Sequence, residues 1–117
     1  MGLILWIDEN TFATGLLEKV FKSRNLPFYT LVEPKDFLYL LDDLKPELLV
    51  LDAVTVRKGE DSFLRLYEQS ELLRSLPVVV IGAEEDLPFL KNKIGSIARP
   101  FDPFQIPDIL INFYRAH

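Results

Sequence analysis

The sequence predicts an α/β protein, a doubly wound three-layer (βα)5 domain built on a five-stranded parallel sheet. Three observations predict it. Aliphatic runs at 3–7, 47–51 and 77–81 are too short for helices and too continuously apolar for a half-exposed strand, so they read as strands buried on both faces. Segments with apolar residues three and four apart separate the strands and read as amphipathic helices. The two patterns alternate five times with no repeat, low-complexity tract or linker, which calls for parallel strands joined by right-handed crossovers.

The elements follow in order. The first strand, 3–7, runs into Asp8 and Glu9. Phe12, Leu16, Leu17, Val20 and Phe21 then form a helical stripe with Asn10 or Thr11 as its cap. A turn at 25–27 leads to a strand at 28–32, and Pro34 opens a helix with the stripe Phe37, Leu40, Leu41 and Leu44. The third strand, 47–51, ends at Asp52, and residues 53–60 read as a loop. Asp61 or Ser62 caps a third helix carrying Phe63, Leu66, Tyr67, Ser70 and Leu73. The fourth strand, 77–81, a short helix at 84–93 and a fifth strand at 94–98 come next. The last helix carries Ile106, Ile109, Leu110 and Phe113. Its regular part is expected to start near Pro107 after an irregular lead-in at 102–106, because the ring of Pro107 would strike the carbonyl of Pro103.

Composition narrows the function. The 117 residues read as one domain, 1–117, with one core. A net charge of −5 speaks against nucleic acid as a partner, since phosphate binding needs a basic face. The absence of cysteine removes disulfides, thiolate metal sites and cysteine nucleophiles, and the single histidine, His117, makes a histidine-based triad a poor expectation. No apolar run reaches membrane-spanning length and Asp8 interrupts the first, so neither a membrane span nor a signal peptide is expected, and the cytoplasm is the simplest setting. The five glycines are scattered and form no phosphate-binding loop.

Chemistry concentrates in the acids. The carboxyl ends of parallel strands open onto one sheet edge, where open α/β sheets bind ligands. Asp8, Glu9 and Asp52 are expected to gather there, and like charges so placed require a cation or an arginine among them.

With those residues the whole chain resembles the receiver domains of response regulators, the CheY-like, flavodoxin-like family. Asp8-Glu9 matches the acidic pair, Asp52 the phosphoacceptor, and Arg99-Pro100-Phe101 the family's Lys-Pro-Phe segment. The resemblance implies a strand order 2-1-3-4-5 and a non-enzymatic module of two-component signalling. It further implies Mg²⁺ held by Asp8, Glu9, Asp52 and the carbonyl of Val54, with a histidine kinase or a downstream signalling protein as partner. Its switch and phosphate-contact positions fall on Gly82, Ala83, Ser96 and Arg99. Three of these depart from the family: Gly82 replaces a Thr or Ser hydroxyl, Ser96 an aromatic toggle, and Arg99 the lysine.

Arginine is planar and binds carboxylates with paired hydrogen bonds, so Arg99 is suited to neutralising a phosphoryl group or to clamping Asp52. Two readings stay open: a working phospho-receiver, or a pseudo-receiver kept as a protein-docking module. The loss of hydroxyl, toggle and lysine together favours the second. A more distant resemblance, to haloacid-dehalogenase phosphatases with Asp8 as nucleophile, lacks its acid/base because Asn10 stands at that position. Leu87, Phe89, Phe104, Ile111 and Tyr114 are expected to form a contact patch, with a homodimer through the last two helices as one use of it. Leu38, Tyr39 and Leu72 fall off the helical stripes as isolated apolar positions.

Overall fold

The computed structural model describes residues 1–117, except the side chains of Asp36 and Leu38, so the off-stripe reading of Leu38 lies outside the described residues. Five strands, β1 (Ile4–Ile7), β2 (Phe28–Leu31), β3 (Leu48–Asp52), β4 (Val78–Ile81) and β5 (Lys93–Ile97), form one sheet in the order β2-β1-β3-β4-β5. Every pairing is parallel. The expected fold class and strand order are both present.

The sheet separates two cores by the period-two alternation of strand side chains. Ile4, Trp6, Leu48, Val50, Val79 and Ile81 face one side, covered by α1 (Thr11–Ser23) and α6 (Ile106–Ala116). Leu5, Ile7, Leu49, Leu51, Val78 and Val80 face the other, covered by α2 (Phe37–Leu44), α4 (Glu60–Gln69) and α5 (Glu71–Ser75). Strands β1, β3 and β4 are buried along their whole length, which accounts for their lack of polar alternation.

Several elements differ from the sequence reading, each for a local reason. The stretch 53–60 is not all loop: a short helix, α3 (Ala53–Arg57), starts directly from β3 because the Asp52 carboxylate caps the N–H of Thr55. The third helix is two, α4 and α5, separated at Ser70, whose extended backbone (φ −108°, ψ 107°) lets its hydroxyl cap Leu73. The expected helix at 84–93 is absent. Proline at 88 lacks an N–H and drives the preceding residue out of helical geometry, and Leu87 stands at φ +53°. The chain between β4 and β5 is instead a run of turns, tied down where Lys93 Nζ donates to the carbonyls of Glu84 (2.6 Å) and Asp86 (3.1 Å).

Strand β5 begins and ends one residue earlier than expected. Before α6 a 3₁₀ turn at Pro103–Gln105 forms the irregular lead-in that the two prolines require. In α1 the inward face is Thr14, Leu17, Val20 and Phe21; the helical repeat therefore turns Phe12 and Leu16 outward, and neither joins the core. No helix is long and apolar enough to cross a membrane among the described residues.

Gly95 of β5 lies beneath α6, and a Cβ there would stand 2.6 Å from the Phe113 ring. Gly95→Ala is expected to cost about 1–3 kcal/mol through overpacking. Thermal unfolding should show the loss, and Phe113→Leu in the same chain should recover part of it.

Candidate functional site

Strands β1 and β3 are hydrogen-bonded neighbours in register, Ile7 opposite Leu51, so the residues that follow them emerge side by side at the carboxyl edge of the sheet. Asp8 and Asp52 are the result, 2% and 4% exposed. Buried carboxylates need partners. The segment after β5, which includes a cis Arg99–Pro100 bond, brings Arg99 across the same edge. Its Nη2 donates to Asp8 Oδ2 at 2.8 Å and to Asp52 Oδ1 at 3.1 Å. Partial burial works to lower the proton affinity of Arg99, but the hydrogen bond and charge of Asp52, reinforced by Asp8, outweigh it and hold its pKa above the usual arginine value. A folded pKa above the unfolded one makes the contribution complete below the usual arginine range and lost only as pH rises through it.

The other two carboxylate oxygens also accept hydrogen bonds. Asp52 Oδ2 accepts from the backbone N–H of Thr55 (3.1 Å) and from its hydroxyl (2.8 Å). Thr55 Oγ1 in turn accepts from the N–H of Glu9 at 3.1 Å, which stitches the end of β1 to the start of α3. Asp8 Oδ1 accepts from the N–H of Asn10 (3.0 Å), and Trp6 Nε1 approaches Asp8 Oδ2 at 3.4 Å. The Arg99 guanidinium stacks over Phe101, 5.4 Å from the ring centroid, and Phe101 packs against Trp6.

Glu9 departs from the expected cluster. It is exposed, and its carboxylate accepts from Lys58 Nζ at 2.6 Å. The carbonyl of Val54 is drawn into α3, where it accepts from the N–H of Lys58 at 3.4 Å. Among the described residues no three acidic or histidine side chains are placed to hold a metal ion. The residues as arranged do not fit Mg²⁺: a guanidinium sits between the two buried acids, and the other two expected ligands are engaged elsewhere.

The Gly82 position is equally altered. Gly82 has φ +155°, and a Cβ built there would lie 2.5 Å from Asp86 Oδ2 and 3.1 Å from the Ala53 Cβ. Asp86 is fixed by an ion pair with Arg57 and by accepting from the N–H of Ala83 at 2.7 Å. So the carboxylate of Asp86 fills the space a Thr or Ser side chain would need, and the Ala83 N–H is already bonded. Ser96, paired with Val80 in the sheet, is partly exposed.

The expected contact patch does not hold together. Leu87 is buried at 1% exposure, and Phe89 packs into the core against Phe63 and Tyr67. Ile111 and Tyr114 are half-buried, and only Phe104, 70% exposed, is open to a partner. A dimer through the last two helices would lack one of them, since 84–93 is not helical. Exposed large apolar side chains near the carboxyl ends of the strands include Phe12 at 86%, Phe104, Val32 and Val54. Thr55, Lys58 and Asp86 are the site residues that the sequence reading missed. An Asp followed by a Thr three residues on is a capping spacing, so Asp52 and Thr55 carried a legible signal.

No protein-family model and no curated protein matches the sequence. Solved structures do match. A response regulator from Desulfuromonas acetoxidans superposes with a TM-score of 0.80 at 13% identity, covering 99% of this chain and 98% of that one. The chemotaxis response regulator CheY4 of Vibrio cholerae gives 0.75 at 12%, covering 97% and 98%. The pseudo-receiver domain of the CikA protein gives 0.68 at 18%, covering 97% of each chain. The protein therefore has the CheY-like receiver fold, shared here with both regulators and a pseudo-receiver.

Two substitutions test the site. Thr55→Val deletes the hydroxyl donor to a buried carboxylate and is expected to cost about 1–3 kcal/mol in denaturant unfolding. Gly82→Ser should destabilise by a similar amount, about 1–3 kcal/mol from the backbone position alone, with Asp86 adding to the clash. Adding Asp86→Ala to Gly82→Ser should return part of the loss.

Proposed function

We propose that the protein acts in two-component signalling as a non-enzymatic docking module of receiver fold, in which Asp52 no longer serves as a phosphoryl switch. The observation that carries this reading is the state of Asp52: one oxygen is held by Thr55 twice and the other by Arg99. An acceptor carboxylate must offer an oxygen to phosphorus while a cation neutralises the charge of the transferring group. Here both oxygens already have donors, and Arg99 is committed to the acids. The conversion of a phosphoryl group into movement would also lack its hydroxyl, because Gly82 has none and Asp86 fills the space beside it.

The working phospho-receiver remains the second reading. It is favoured by the position of Asp52 at the edge of the sheet beside Asp8, and by a fold shared with response regulators. Release of Arg99 from Asp52 would give that reading both an acceptor oxygen and a cation. The dehalogenase-like reading has less: both Asp8 oxygens accept hydrogen bonds, and the side chain of Asn10 is engaged as the α1 cap. The partner of the docking module is a protein, a histidine kinase or a downstream signalling component, and the exposed Phe12 and Phe104 favour contact on the α1 side.

Acetyl phosphate with Mg²⁺, followed by intact mass, separates the two main readings. The docking module predicts no phosphoaspartate and an amide spectrum unchanged by beryllium fluoride. Labelling lost in Asp52→Asn, with shifts across the β4–β5 turns, would establish the working receiver instead.

A further inference from the structure

A pocket with two buried carboxylates must solve a charge problem before it does anything else. Burial without a counter-ion costs several kcal/mol for each ion. A divalent cation among the oxygens is one solution, and a hydrogen-bonded guanidinium is another. This chain carries the second within its own sequence. Arg99 Nη2 bridges Asp8 Oδ2 and Asp52 Oδ1, its guanidinium carbon lies 5.4 Å from the Phe101 ring centroid, and Phe101 packs at a tilt against Trp6 in the core. The residues that would otherwise complete an oxygen cage face other partners, Glu9 toward Lys58 and the Val54 carbonyl into α3.

We propose that Arg99 is the resident cation of this pocket, so that Asp8 and Asp52 bind no divalent ion while it is in place and become a metal site when it is removed. The inference deepens the docking-module reading and rests on it only for context. Metal exclusion concerns the two acids and Arg99, and it holds or fails whether or not Asp52 can be phosphorylated. Mg²⁺ requires near-octahedral oxygen ligation and gives up water reluctantly, so it gains little from carboxylates already bonded to a guanidinium. A large charge at Asp8 Oδ2 also sits next to Trp6, the single tryptophan, whose Nε1 lies 3.4 Å away.

The test is a titration with MgCl₂ against NaCl of equal ionic strength, following Trp6 fluorescence and the melting temperature, with no phosphoryl reagent present. The wild type should show no saturable Mg²⁺ effect on either. Arg99→Gln, neutral, polar and two atoms shorter, should acquire a saturable fluorescence change and a melting temperature that climbs with Mg²⁺, as binding to the folded state requires. Both effects should vanish in Arg99→Gln with Asp52→Asn. If Arg99→Gln does not fold alone, recovery of its unfolding transition on adding Mg²⁺ supports the proposal, and no recovery opposes it. A saturable wild-type response equal to that of the variant, or a folded variant as silent as the wild type, overturns it. Phosphorylation of a wild type that ignores free Mg²⁺ would defeat the docking-module reading and leave this one standing.

Discussion

One guanidinium nitrogen shared between two buried carboxylates is the interaction on which the carboxyl edge of this sheet depends. Parallel pairing of β1 and β3 makes the proximity of Asp8 and Asp52 unavoidable, since the register that aligns Ile7 with Leu51 sets the next residues side by side. Two such buried charges repel, and burial without a partner is costly for each. Arg99 answers them from the segment after β5, its guanidinium lying over the Phe101 ring. The other donors, Thr55 and the N–H of Asn10, orient the acids; the arginine offsets one of their two charges.

A second ion pair performs a related task at the neighbouring strand. Asp86 fills the space beside Gly82, caps Ala83, and is answered by Arg57 from the helix that follows Asp52. The turns between β4 and β5 are thus fastened to the chain after β3 by charge rather than by a hydroxyl moving toward a ligand. Gly82 and Arg57, which look unrelated in the sequence, both meet Asp86.

How much of this was legible in the sequence follows the physics of each signal. Strands β1, β3 and β4 were plain because burial on both faces removes all polar alternation, and the prolines at 103 and 107 forced the lead-in to α6. The helix expected at 84–93 does not form because Pro88 and its effect on Leu87 override the strand–helix alternation. With that helix gone, Leu87 and Phe89 turned from surface candidates into core. Phe12 went the other way, since spacing alone does not reveal which side of α1 meets the sheet. At the site, the convergence of Asp8 and Asp52 was readable, and Arg99 was readable either as a phosphoryl partner or as a clamp on Asp52. The direction of Glu9 was not, because it depends on Lys58, forty-nine positions away in the chain.

Trp6 ties the pocket to the core on one side of the sheet. Its ring belongs to the core beneath α1 and α6, touches Phe28 on one flank and Phe101 on the other, and supports Arg99 through that second contact. Arg99 is therefore joined to both layers, through Phe101 and Trp6 to the core on the side of Phe12 and Phe104, and through Asp52 and Thr55 to the start of α3 on the other.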